Sequence, residues 1–116
     1  MRREGIVEKE VKDNIISILI DGAEISTKEQ LFVSFKEALS FPDYFGMNWD
    51  ALEDLLKDLS WLGDVESVRL TFINQKMILS SDDEKDIVIF KRIMTSAVEY
   101  WEKTEEGIKL SVEFKE

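Results

Sequence analysis

From Asn14 onward the chain alternates between two hydrophobic rhythms. Ile15, Ile16, Ile18, Leu19 and Ile20 form a nearly unbroken apolar run that stops at Asp21-Gly22, the pattern of a strand buried on both faces and ended by a turn. Leu31, Phe32, Phe35, Ala38 and Leu39 then recur at helical intervals, with Ser26 and Glu29 at capping-box spacing before them and Phe41-Pro42 after them. A second helix is predicted behind Asn48, with Ala51, Leu52, Leu55, Leu56 and Leu59 on one side. Ser67 to Ile73 alternates with period two and predicts a strand. Ser81 and Glu84 are candidate caps for a longer helix running to about Lys103, with Ile87, Phe90, Met94, Ala97, Val98 and Trp101 inward and Gly107 as its stop. Ile108, Leu110, Val112 and Phe114 predict a final one-sided strand.

Strands separated by helical stretches predict a small α/β domain, a three-stranded parallel sheet packed with helices, over residues 14–116. Residues 1–13 carry four basic and four acidic side chains around Ile6, Val7 and Val11 and read as a mobile arm or a marginal extra strand. At 116 residues, 44% hydrophobic and 34% charged, the chain is one globular domain with a core. No apolar run reaches the roughly 18–20 residues of a membrane span, and the N-terminus has no apolar h-region of a secretory signal.

Charge and missing residue types narrow the function. Fifteen Lys and Arg against 25 Asp and Glu give a net charge of −10. That charge opposes nucleic acid and favours a basic protein partner, although acidity also serves plain solubility. There is no His and no Cys, which removes the usual bases, nucleophiles and zinc ligands near neutral pH. Catalysis would need paired carboxylates, a Lys or a hard metal. The absence of cysteine fits a reducing compartment, and the expected location is cytoplasmic.

The densest signal lies between the first two helices, where Tyr44, Phe45 and Trp49 surround Gly46. Aromatics beside charge have the composition of interface anchors. Each can equally plug the core under the turn; Phe45 leans towards the plug, Trp49 is divided, and Tyr44 leans towards the anchor. On the following helix Asp50, Glu53, Asp54 and Asp58 share one side with Lys57, and residues 41–60 hold five acids and one base. A solvated helix face explains such acids on an ordinary helix. Next to the aromatic turn they also form a compact anionic plug, able to meet Arg side chains bidentately.

The run Phe41-Pro-Asp-Tyr-Phe-Gly-Met-Asn-Trp-Asp-Ala-Leu52 resembles the hallmark of the barstar family of intracellular ribonuclease inhibitors. Pro42, Tyr44, Gly46, Asn48, Asp50, Ala51, Leu52 and Asp54 all match it in place. A weaker resemblance extends from about Ile15 to Phe114. It implies an inhibitor with no cofactor, metal or catalytic residue, whose second helix and preceding loop fill the active site of a basic extracellular-type ribonuclease or related toxin. A monomer would suffice for the 1:1 complex, away from membranes and without direct contact to nucleic acid. By resemblance Asp54 takes a substrate-phosphate site and most of the binding energy. Asp50 pairs with a catalytic-site Arg or Lys, Tyr44 packs on the catalytic histidine, and Gly46, Asn48 and Trp49 line the contact. The family's own inhibitor–enzyme pair is the standard illustration of charge steering and of a carboxylate hot spot. In this chain Glu53, Trp49 and Phe45 replace a tryptophan, a leucine and a tyrosine of the best-known member, which leaves the target open. Glu99 and Trp61 are further candidate contacts.

Two other readings stand beside this one. Asp21-Gly22 at a strand end, completed by Asp82-Asp83, resembles the Mg²⁺-holding acids of phosphotransfer domains, but no phosphate-cradling glycine loop accompanies it. A binding module of the same fold with a different toxin or regulatory client is the nearer rival.

Overall fold

The structure, a computed structural model, describes residues 5–116; the first four residues of the expected arm lie outside the described ones. Four strands, β1 (Ile6–Lys12), β2 (Ile15–Asp21), β3 (Ser67–Ile73) and β4 (Lys109–Phe114), form one sheet in that order. Three helices, α1 (Lys28–Leu39), α2 (Trp49–Leu56) and α3 (Glu84–Glu102), occupy the crossovers. Strands β2, β3 and β4 are parallel, with Ile15 opposite Ser67 and Ser67 opposite Lys109.

The sheet therefore has four strands, not the three expected. The extra one, β1, runs antiparallel to β2 across a two-residue loop, Asp13-Asn14, whose φ angles of 53° and 65° suit a tight hairpin. Asp and Asn tolerate this left-handed region better than other non-glycine residues. Alternation is hard to see in β1 because its side chains from Val7 to Lys12 are all exposed. The run Ile15–Ile20 also differs from expectation, since only one side of it is fully covered. Ile16, Ile18 and Ile20 are buried, while Ile15, Ser17 and Leu19 are half-buried. Together with Val68, Leu70, Phe72 and Leu110, the buried positions form the floor of the core.

The helices close that floor from one side. Phe35, Phe72 and Phe90 meet with ring centroids 5.6–6.1 Å apart, and burying each such ring contributes on the order of 2 kcal/mol. Helix α1 begins one residue later than predicted. Thr27 is the cap, its hydroxyl accepting from Gln30 N at 3.2 Å, while Gln30 Oε1 accepts from Thr27 N at 3.2 Å. The predicted Ser26 donates its backbone N–H to the same Gln30 oxygen at 3.0 Å. Helix α3 is capped by Asp83, which accepts from Lys85 N at 2.9 Å, and not by Ser81. Ser81 instead donates its N–H to Ser26 O at 2.9 Å, joining the two helix starts. Gly22, which follows β2, lies so close to Ile73 O that a Cβ would meet it at 2.9 Å, so only glycine fits where the chain leaves the sheet. No helix among the described residues is long and apolar enough to cross a membrane.

Candidate functional site

The loop between α1 and α2 is built from the inside outward. Ser40 ends α1 in the left-handed conformation, φ 53°, and Pro42 forbids any continuation. Phe45 N donates to Pro42 O at 3.0 Å, closing a turn that separates its neighbours. Phe45 points inward, 7% exposed, with its ring edge-on to Phe41 at 4.9 Å and to Phe32 at 6.0 Å. Tyr44 points outward and is 74% exposed. The two adjacent aromatics thus divide as plug and exposed ring.

Asn48 organises the start of α2. Its Oδ1 accepts from Ala51 N at 2.8 Å, and its Nδ2 donates to Gly46 O at 3.2 Å. A Cβ on Gly46 would stand 3.1 Å from that same amide nitrogen, so glycine keeps the cap compact. Between them Met47 holds a left-handed φ of 53°, a conformation that costs a non-glycine residue about 1 kcal/mol. Trp49 is half-buried against Phe32 and Phe90, with centroids at 5.0 and 6.4 Å. With Lys28, Glu29, Phe32, Met47 and Asn48, it lines a shallow depression of about 410 Å³.

Helix α2 turns Leu52, Leu55 and Leu56 into the core and leaves Asp50 and Asp54 exposed. These two acids sit one turn apart, roughly 5–6 Å between Cβ atoms. Among the described residues neither makes a hydrogen bond or ion pair with another side chain. Asp50, in the first turn, gains from the helix dipole. Glu53 was expected on the same side, but the structure turns it towards α3. There it accepts from Lys57 Nζ and from Ser96 Oγ, both at 2.9 Å. Those two donors, the lysine first, hold its carboxyl below the ordinary carboxylate range despite some burial.

Asp58 lies beyond the helix, because α2 stops at Leu56, earlier than its apolar pattern suggests. Lys57 is the C-cap, and Leu59 takes a left-handed φ of 55° so that its side chain can still reach the core. Asp58 Oδ1 accepts from Ser60 N at 3.2 Å in the following turn. Two tryptophans brace this region, one from the turn after α2 to the end of α1 and one from α3 to the end of α2. Trp61 Nε1 donates to Leu39 O at 2.9 Å, and Trp101 Nε1 donates to Leu56 O at 2.8 Å. Sequence reasoning gave these rings a place in or beside the core but not these bonds, which link residues 22 and 45 positions apart.

The structure thus brings Tyr44, Gly46, Asn48, Trp49, Asp50 and Asp54 into one loop-and-helix surface. Glu99 does not join it; it lines a groove between α3 and β4. The acids of the metal reading serve separate local roles. Asp21 accepts from Ala23 N at 2.9 Å and from Asn74 Nδ2 at 2.8 Å, while Asp82 accepts from Lys28 N at 2.7 Å at the start of α1.

Fold and surface together define a small mixed α/β domain that holds a capped, acid-faced helix outward on a braced loop. The family model described as "Barstar (barnase inhibitor)" matches residues 16–115, and the chain belongs to that family. Over 39 residues it is 49% identical to a protein of Bacillus subtilis (strain 168) named "Putative ribonuclease inhibitor YrdF". That match covers 34% of this chain and 43% of the relative, so the aligned stretch spans less than half of either.

Proposed function

We propose that this chain inhibits a basic ribonuclease by seating α2 and its entry loop in the enzyme's active site, forming a 1:1 complex without chemistry of its own. The observation that carries this reading is the state of Asp50 and Asp54. Both are exposed on a helix that is capped at one end and braced at the other, and among the described residues neither is engaged by a cation. Carboxylates held in this way can stand where a cationic cleft binds phosphates, and Arg can grip them through paired hydrogen bonds. Asp54 takes the larger share of the energy. Tyr44 offers an exposed ring for stacking beside it, and Gly46, Asn48 and Trp49 shape the backbone contact. Family membership and the name of the Bacillus subtilis relative support a ribonuclease-inhibitor role. The net charge of −10 would steer the chain towards a basic enzyme, and the absence of cysteine suits a cytoplasmic site of action.

One observation favours a second reading, a different toxin or regulatory client. Trp49 and Met47 line an apolar depression beside the acids, a feature that phosphate mimicry does not require. Calorimetric titration of the chain into a small basic microbial ribonuclease, with RNA cleavage assayed in parallel, separates the two. Saturable 1:1 binding with loss of cleavage, markedly weakened by Asp54→Ala, supports the inhibitor. Binding without loss of cleavage, or no binding, rejects that enzyme class as the client and favours the second reading.

A further inference from the structure

Strand β4 closes the sheet on one side, with no strand beyond it among the described residues. The backbone N–H groups of Lys109 and Lys115 point inward, donating to Glu66 O at 2.9 Å and Phe72 O at 2.7 Å. Since these groups alternate sides along a strand, Leu110, Val112 and Phe114 aim theirs at the open edge. The opposite edge is protected. There β1 carries Glu8, Lys9, Glu10 and Lys12 and an irregularity between Ile6 and Glu8, features that discourage edge pairing. No such break interrupts β4, whose register with β3 runs unshifted from Lys109 to Phe114. Beside it, on the helix side, a groove of about 400 Å³ is lined by Met94, Val98, Glu99, Val112 and Phe114.

We propose that β4 pairs antiparallel with β4 of a second copy of this chain, about a two-fold axis at Ser111. In that register Leu110 lies opposite Val112 of the other copy, and both present outward N–H and C=O groups, so each such pair exchanges two hydrogen bonds. Lys109 falls opposite Glu113 of the other copy, twice by symmetry, at the positions where cross-strand side chains come closest. The neighbouring registers lack this match: centring on Val112 sets Lys109 against Lys115, and centring on Leu110 sets it against Ser111. The Val112 side chain of each copy points to the helix side and stands against Leu110 of the other, beside the groove between β4 and α3. Glu113 already pairs with Lys115 at 3.1 Å, so it would be shared between two cations. The charge of −10 on each copy opposes association, so the pairing is reversible and the Lys109–Glu113 contacts act against that repulsion. The pairing uses neither Asp50 nor Asp54, so it stands apart from ribonuclease binding.

Sedimentation velocity of the full chain over a concentration series, without any nuclease, tests this. Reversible dimerisation is expected, with Lys109→Glu weakening it about tenfold. The double exchange Lys109→Glu with Glu113→Lys should restore it. Val112→Pro, which removes only an outward N–H and leaves the ladder to β3 intact, should abolish it while circular dichroism stays native. A monomer at all concentrations up to about 1 mM overturns the proposal. So does a dimer insensitive to both Lys109→Glu and Val112→Pro, which would place the contact elsewhere.

Discussion

Two short acidic segments of this chain look alike on paper and are used in opposite ways. Asp82, Asp83, Glu84 and Asp86 surround the start of α3, and Asp50, Glu53 and Asp54 lie along α2. In the first, the structure engages the carboxylates locally. Asp82 accepts from Lys28 N at 2.7 Å, Asp83 caps α3, and the buried Asp86 lies 3.5 Å from Lys28 Nζ. In the second, only Glu53 is engaged, while Asp50 and Asp54 remain exposed and unpaired among the described residues. Negative charge near a helix start is therefore not what marks a candidate site here. The mark is charge that a rigid element presents without any internal partner.

Five changes would break or sharpen that difference. The largest effect is expected from Asp54→Ala, which should weaken binding to a basic ribonuclease by about 2 kcal/mol or more while leaving the urea unfolding midpoint unchanged. Asp58→Ala, in the turn beyond α2, should barely alter affinity, and an equal loss from both would count against a specific plug. Next, raising the salt concentration should slow association, because steering by exposed charge is screened over about 10 Å at 0.1 M; stopped-flow mixing reads this directly. Asp83→Ala should show the reverse profile of Asp54→Ala. Losing the α3 cap costs about 1 kcal/mol of stability, measurable by urea titration, with affinity intact.

The smallest effect belongs to Glu53→Gln. The carboxyl of Glu53 is held below its ordinary range in the folded chain. Its contribution is therefore present above the unfolded carboxylate range and is lost as pH falls through the lower folded value. Glu53→Gln should therefore lower stability slightly at neutral pH, leave it little changed in acid where Glu53 is itself protonated, and so flatten the acid limb of a stability–pH curve. An acid limb identical to that of the parent chain would show that the Lys57 and Ser96 contacts carry no net energy.

Much of this was legible in the sequence, for identifiable reasons. Strand β3 runs from Ser67 to Ile73, as its alternation predicts, and Asn48 caps α2 as its position suggests. Strand β1 was obscured because an exposed edge strand needs no apolar alternation, although the Asp13-Asn14 pair ahead of Ile15 was an available hairpin signal. The true cap of α3 was hidden among Ser81, Asp82, Asp83 and Glu84, and only contacts with α1 select among them. The site's loop and its two exposed acids were readable as a motif, and the opposite orientations of Tyr44 and Phe45 followed burial tendency. The Lys57 partner of Glu53 stands at readable i,i+4 spacing, but the turn of Glu53 towards α3 was not readable, because Ser96 lies 43 residues away.

The hairpin that joins β1 to β2 also sets an order of events in folding. Its two strands meet across Asp13-Asn14 alone, and such a turn closes in about 1–10 μs. The pairing of β2 with β3 must first bring Ile15 to Ser67, across both α1 and α2, and loop-closure entropy delays contacts that remote. Substitutions in the turn should therefore leave the folding rate nearly unchanged, whereas Ile18→Val or Leu70→Ala, at the parallel seam, should slow it. The edge strand absent from the predicted sheet is then the one whose pairing costs the least search time.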